Sequence, residues 1–239
     1  MTHSSCIVVI PAFNEAANVS AVVRDIKAQL PHADVLVVDD GSSDETSAFA
    51  AHAGAGVLRL PLNSGYGVAL QAGYKYAVVH GYRVVAQMDA DGQHSAEYLP
   101  RLLAILEAGD ADVVIGSRFL DGDGHYTPSM ARKVGMELFG RVATLVMRQP
   151  ISDPTSGYQV MSIDVARFFT TDVYPADYPD ADILILLHRS GYRVREVGVQ
   201  MRMPEGVSMH SGHRSIYYVY KMVLSIGLTL LRPRTTESG

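Results

Sequence analysis

Val84-Val85-Ala86-Gln87-Met88-Asp89-Ala90-Asp91-Gly92-Gln93-His94 is the stretch on which the fold turns. An apolar run ends abruptly in two aspartates one residue apart, then a glycine, an amide and a histidine. Val84 to Met88 reads as a strand buried on both faces. If the backbone stays extended beyond it, side chains repeat every two residues and Asp89 and Asp91 share a face. Two carboxylates so close repel unless a cation sits near them. Oxygen ligands suit Mg²⁺ or Mn²⁺, which commonly bridge to substrate phosphates, and Gln93 or His94 could complete the shell. An acidic turn capping the next helix is the alternative, and a lone Asp-x-Asp does not decide between the two.

Upstream, the same succession of apolar run and polar cluster recurs. Cys6 to Ile10 is a buried strand that Pro11 is expected to end, and Val35 to Val38 and Val57 to Leu60 are further strands. Glu15 to Leu30 reads as an amphipathic helix, with Val19, Val22, Val23, Ile26 and Leu30 on one side. Ser43, followed by Asp44 and Glu45, opens a second helix with acids in its first turn. Helices over Gly67 to His80 and Tyr98 to Glu107 flank the Asp-x-Asp strand, and Val113 to Ile115 is a fifth strand. This alternation predicts an α/β chain with a mostly parallel central sheet and helices on both faces. Ligands of such sheets bind beyond the carboxyl ends of the strands. Five polar clusters fall at such ends: Pro11 to Glu15, Asp39 to Ser43, Asn63 to Gly67, Asp89 to His94 and Gly116 to Arg118.

Singly these clusters are ambiguous. Asp39 and Asp40 could accept hydrogen bonds from a base or ribose, or could simply form a turn and helix cap. The glycine-bearing loop before Gly67 could offer backbone N–H groups to phosphate, yet it matches neither the dinucleotide fingerprint nor the P-loop. Arg118, Arg132 and Arg202 could each bind phosphate. There is no Gly-x-Ser-x-Gly, and the single cysteine, Cys6, lies within a strand, so nucleophilic hydrolase chemistry is poorly supported.

Bulk properties narrow the classes further. The 239 residues are 48% hydrophobic, enough for a sizeable core, and carry a net charge of −5, with no hint of a nucleic-acid-binding face. One cysteine allows no internal disulfide and fits a reducing cytoplasm, and residues 1–5 suggest no secretory signal. After Arg118 come a Gly-rich loop at 121–125, a helix over Ser129 to Arg148, a turn at 153–159 leading into strand Val160-Met161, a helix over Ile183 to Ser190, and a strand-like run over Val194 to Met201. With no repeat or linker, one domain is expected. Ile216 to Leu231 is an apolar amphipathic helix. At about 1.5 Å per residue it reaches only about 24 Å, short of the roughly 30 Å of a bilayer core. It packs either on the core or on a membrane surface or separate small membrane protein.

Together the motifs resemble glycosyltransferase family 2 with its GT-A, Rossmann-like fold. The matching pieces are Ile-Pro-Ala-Phe-Asn-Glu at 10–15, Val-Val-Asp-Asp-Gly-Ser-Ser-Asp-Glu-Thr at 37–46, Asn-Ser-Gly-Tyr-Gly at 63–67, Met-Asp-Ala-Asp-Gly-Gln-His at 88–94 and Val-Ile-Gly-Ser-Arg at 114–118. Asp-Pro-Thr-Ser-Gly-Tyr-Gln at 153–159 resembles a later motif of the dolichyl-phosphate mannose synthase-like, or polyprenyl-phosphate glycosyltransferase, branch.

The resemblance implies a catalytic unit over 1–212, with a nucleotide-binding half to about residue 118, an acceptor half after it, and a C-terminal helix and tail over 213–239. It implies that Pro11, Phe13, Glu15, Asp39, Asp40, Gly67 and Arg202 meet a GDP- or UDP-linked sugar. Asp89, Asp91 and Gln93 would hold Mg²⁺ or Mn²⁺ against the donor diphosphate. Arg118, Arg132 and Ser208 would grip the phosphate of a polyprenyl lipid, and Asp89, Asp91, Asp153 and Arg118 would serve catalysis. Arg202, Gly206 and Ser208 resemble a mobile acceptor loop with one extra residue, and His210 stands where a basic residue is common. Asp180 and Asp182 sit where the family often has glutamates. An acceptor phosphate needs no strong base, whereas a sugar hydroxyl would require Asp153 or Asp182 to act as one. The expected setting is the cytoplasmic face of a membrane, as a peripheral protein that could form a homodimer.

Overall fold

The structure, a computed structural model, describes residues 4–120, 130–175, 179, 181–202, 224, 227 and 228, with 130–138 as backbone only. Seven strands form one sheet: β1 (Cys6–Ala12), β2 (Asp34–Asp39), β3 (Gly56–Arg59), β4 (Val84–Gln87), β5 (Val113–Ser117), β6 (Gln159–Ser162) and β7 (Val194–Gly198). Their order across the sheet is β3-β2-β1-β4-β6-β5-β7. Every pairing is parallel except the two made by β6, which lies antiparallel between β4 and β5. The mostly parallel sheet expected from the sequence is therefore present, with one reversed strand inserted.

The unbroken apolar runs have a simple cause, since alternate residues feed two separate cores. Ile7, Val9, Leu36, Val38, Val85, Val113 and Ile115 face one core. It is closed by α3 (Tyr66–Val79), α5 (Met130–Met147), α6 (Ile163–Phe169) and α7 (Ala181–Arg189). Val8, Ile10, Val35, Val37, Ala86 and Val114 face the other, beneath α1 (Val19–Gln29), α2 (Thr46–His52) and α4 (Leu99–Glu107). Each fully buried valine or isoleucine contributes roughly 1.5–3 kcal/mol.

Pro11 does not end β1. It pairs in register with Val38, and the strand continues to Ala12. Residues of β1 alternate in the neighbour they bond. The Ala12 carbonyl accepts from Asp40 on the β2 side, and the Val9 carbonyl accepts from Met88 on the β4 side. Pro11 therefore turns its missing N–H towards β4, whose ladder with β1 has already stopped at Val9–Gln87. The first helix begins at Val19 rather than Glu15, because residues 14–18 form a turn in which Asn14 takes a left-handed φ of 56°. The second begins at Thr46, and the Asp44 carboxylate, not Ser43, accepts its first N–H at 3.1 Å. The short α6 follows β6 without a loop, and Ser162 caps it by accepting from Val165.

Two connections bring distant sequence to the Asp-x-Asp edge. Because β6 runs backwards, its first residue, Gln159, pairs with Gln87 at the end of β4, so the 153–159 turn is delivered to that edge. After β7 the chain crosses back, with Met201 bridging His94 and the Arg202 N–H donating to the Gln93 carbonyl at 2.8 Å. Of the expected C-terminal helix, only residues 224, 227 and 228 are described. They are helical, with Leu224 and Leu228 exposed.

Candidate active site

The loops after β1 and β2 are stitched together. The N–H groups of Asn14, Glu15 and Ala16 donate to Ser42 Oγ, Thr46 Oγ1 and Asp44 Oδ2 at 2.9, 2.8 and 3.1 Å. Asn14 Oδ1 returns the contact by accepting from the Ser43 N–H at 2.9 Å. Phe13 stands exposed at the rim while Pro11 is buried below it. Asp39 is fully buried and accepts from the Ser42 N–H at 2.8 Å and from the Ser47 hydroxyl, with the Arg59 guanidinium 3.7 Å away. Asp40 accepts from the N–H groups of Ser64 and Gly65 at 2.7 and 2.9 Å, which places the 63–67 loop beside the β2 end. Gly41 permits this approach. Its φ is +73°, and a Cβ there would lie 2.6 Å from the Leu62 carbonyl carbon. Gly67 is buried in the first turn of α3.

Asp89 and Asp91 lie just past β4, as the sequence implies. Burial, then the charge of Asp89, pushes the Asp91 carboxyl above the usual range, and hydrogen bonds from Gln93 oppose the shift. Gln93 donates both its backbone N–H, at 2.9 Å, and its side-chain amide to Asp91. Burial likewise raises Glu15, opposed by an Asn18 hydrogen bond, with Asp91, Asp44 and Asp89 adding to the rise. The site thus gathers negative charge at the edge of the sheet. His94 is buried and stacked on Tyr158, ring centroids 4.9 Å apart. Its Nδ1 accepts from the Asp89 N–H at 3.1 Å, so the ring proton sits on Nε2, 3.6 Å from Asp89 Oδ2. Both ring nitrogens thus face Asp89, and the histidine shapes the turn rather than completing a ligand shell.

This donor set suits a hard divalent cation. Burial and the charge of Asp89 disfavour ionised Asp91, which a cation would offset, and among the described residues no group of three or more His, Cys, Asp or Glu forms a cage. Mg²⁺ is commonly held this way, by one or two carboxylates with water and substrate phosphate supplying the rest.

The 153–159 turn binds the far side of the edge together. Asp153, fully buried, takes the Arg118 guanidinium in a two-point grip, Nε and Nη2 each at 2.6 Å, and accepts the Arg118 N–H at 3.0 Å. Thr155 accepts from the same Nη2 at 2.8 Å. Ser156 donates to the Gly116 carbonyl at 2.6 Å and Tyr158 to the Ser95 carbonyl at 2.8 Å. Gly157 lies against the Asp-x-Asp, where an added Cβ would stand 3.1 and 3.2 Å from the two Asp89 oxygens. Behind this turn, Glu196 of β7 accepts the N–H groups of Ser152 and Asp153 at 2.8 and 2.7 Å, and burial raises its carboxyl above the ordinary range.

The structure therefore brings Pro11, Phe13, Glu15, Asp39, Asp40, Gly67, Asp89, Asp91, Gln93, Arg118 and Asp153 to one sheet edge. Arg202 joins that edge only by its backbone. Its exposed side chain reaches Asp25 on α1 at 3.1 Å. Arg132 lies in the first turn of α5, where side chains are not described, and Asp180, Gly206, Ser208 and His210 fall outside the described residues. Asp182 is buried at the start of α7. Glu196, Tyr66 and Gln87 were not singled out from sequence. Gln87 ends an apolar strand run, where a polar residue was the available signal, whereas Glu196 follows Arg195 in a strand without that contrast. Cys6 has its thiol pushed up to about 12, chiefly by burial, so it is no nucleophile at neutral pH.

The family model for glycosyl transferase family 2 matches residues 7–168, well over half of the chain and the span that carries β1 to β6. The chain belongs to glycosyl transferase family 2. This glycosyltransferase is 32% identical to the polyprenol monophosphomannose synthase of Mycolicibacterium smegmatis over 217 residues, 86% of this chain and 81% of that protein. It is also 32% identical to the undecaprenyl-phosphate mannosyltransferase of Micrococcus luteus over 198 residues, 80% and 81% of the two chains. Its fold is similar to that of glucosyl-3-phosphoglycerate synthase from Mycobacterium tuberculosis, solved with Mn²⁺, UDP-glucose and phosphoglyceric acid. The TM-score there is 0.65 at 21% identity, over 93% of this chain and 79% of that one. Within this family 2 chain, every candidate from Pro11 to Asp153 lies inside the matched span, and Arg202 lies beyond it.

Proposed function

We propose that this glycosyltransferase moves a sugar, with inversion, from a nucleoside diphosphate donor to the phosphate of a polyprenyl lipid. One observation carries the reading. The 153–159 turn grips Arg118 with Asp153 while Gly157 lies against Asp89, so a carboxylate pair and an oriented guanidinium share one sheet edge. Two relatives named for polyprenyl-phosphate mannosyl transfer, aligned over most of the chain, support the acceptor class.

In this reading the stitched loops after β1 and β2 receive the nucleoside, with Phe13 at the rim and Asp39 and Asp40 below. Asp89 and Asp91, with the side-chain oxygen of Gln93, would hold a divalent cation that offsets charge on the leaving diphosphate. Asp153 and Thr155 fix the plane of Arg118, whose guanidinium brings a held positive charge to the lipid phosphate. A lipid phosphate is already an anion and attacks the anomeric carbon without a base. That agrees with Asp153 being committed to Arg118 rather than poised to take a proton. The acceptor locates the reaction at a membrane surface, on the cytoplasmic side where nucleotide sugars are made. A thermal-shift panel of GDP- and UDP-linked sugars with Mg²⁺ or Mn²⁺ tests the donor half. One donor should raise the melting temperature only when metal is present. Equal shifts without metal, or none with any donor, would count against it.

A further inference from the structure

A buried polar chain runs beneath the Asp-x-Asp. Tyr66, the first residue of α3, donates its hydroxyl to Asp89 Oδ1 at 2.8 Å. Gln87, buried at the end of β4, donates Nε2 to the Tyr66 oxygen at 3.1 Å. The Gln87 Oε1 accepts from the hydroxyl of Tyr74, two turns along α3 and fully buried. The Tyr174 ring meets the Tyr74 ring edge-on, with centroids 5.7 Å apart.

The direction of every link follows from its end. An ionised carboxylate only accepts, so Tyr66 must donate to Asp89 and can be met only by a donor. Gln87 must then present its N–H₂ to Tyr66 and its oxygen to Tyr74, whose hydroxyl donates to it. Reversing a link leaves two donors or two acceptors facing each other, at about 1–3 kcal/mol. Gln87 and Tyr74 would otherwise be out of place between an apolar strand and an apolar helix face. A third element closes on the terminal link: a Cβ at Gly157 would stand 2.8 Å from the Tyr66 oxygen.

We infer that Tyr66 is a positioning residue for Asp89. Held by Gln87 and, through it, by Tyr74, it fixes the carboxylate in the orientation that meets a divalent cation. This deepens the reading of Asp89 as a cation-holding residue and rests on it. Hydrogen-bond partners of metal-binding carboxylates set ligand orientation, and their loss typically costs 10–100-fold in metal affinity.

The test is Mn²⁺ binding to the intact chain, followed by the electron paramagnetic resonance of free Mn²⁺, with saturating UDP and in parallel GDP. Tyr66→Phe should raise the Mn²⁺ dissociation constant about tenfold, with kcat at saturating Mn²⁺ within about threefold of the parent. Tyr74→Phe, two links further away, should raise it less. An unchanged dissociation constant in Tyr66→Phe, alongside lost binding in Asp89→Asn, overturns the proposal alone. Undiminished binding in Asp89→Asn overturns the reading beneath it as well. If Tyr66→Phe fails to fold because the Gln87 amide is abandoned, the double variant Tyr66→Phe/Gln87→Leu removes that amide. The same tenfold rise is then required of the double variant.

Discussion

Asp153 and Asp91 sit at the same edge and are stabilised in opposite ways. Asp153 is buried with its counter-charge in hand, the Arg118 side chain being only 8% exposed. Breaking one side of such a pair typically costs about 3–5 kcal/mol. Asp153→Asn should therefore lower unfolding stability by about 3 kcal/mol in urea titrations. A stable but inactive variant would instead point to Asp153 as a base. Burial and the charge of Asp89 both disfavour the charge on Asp91, opposed by hydrogen bonds from Gln93. Asp91→Asn should fold as well as the parent or better, yet lose turnover and metal-dependent donor binding. Normal activity in that variant would remove Asp91 from the metal role. From sequence alone the pair Asp89 and Asp91 was legible, because spacing and an abrupt strand end are local. The grip of Asp153 on Arg118 was not, since 35 residues separate the partners.

At the level of elements, the buried strands were legible because a sheet covered on both faces needs apolar side chains at every position. Two features escaped for physical reasons. Pro11 continues β1 because its missing N–H points where no ladder remains, a property of the neighbouring strand rather than of proline. The reversal of β6 is not encoded in its four residues, and only the pairing of Gln159 with Gln87 and Ile115 reveals it. β7 contributes Glu196, whose raised pKa has a testable consequence. Burial is the first cause, Asp153 adds to it, and hydrogen bonds from Ser152 and Asp153 oppose it. With a folded pKa above the ordinary 4.5, the folded state retains a proton that the unfolded chain releases. The contribution of this group is complete below that ordinary value and is lost as pH rises through the folded pKa. The stability of the parent relative to Glu196→Gln should thus decline with rising pH just above 4.5 and then level off. Urea midpoints at half-unit pH steps measure it, and a difference that stays flat or grows would show that Glu196 is not strained by burial.

On the scale of the molecule, the order of polar clusters along the chain becomes their assembly on one edge of a single sheet. Parallel strands deliver all five of those clusters directly. The reversed β6 delivers the 153–159 turn and the crossing segment after β7 the Arg202 backbone, and these depend on long-range pairing that the sequence pattern does not display. Among the described residues no helix is long and apolar enough to cross a membrane. The expected C-terminal helix over Ile216 to Leu231, packed on the core or on a membrane, lies almost wholly outside those residues. The two acceptor classes would leave the site as chemically different products, so the product is the direct measure. Radiolabelled GDP- and UDP-sugars are incubated with the protein, Mg²⁺ or Mn²⁺ and polyprenyl phosphate, and the mixture is extracted with organic solvent. One donor should transfer label to the organic phase, only with metal and polyprenyl phosphate present, and mild acid should release it as free sugar. Label that stays in the aqueous phase on a soluble saccharide, with none in lipid for any donor, would contradict transfer to a polyprenyl phosphate.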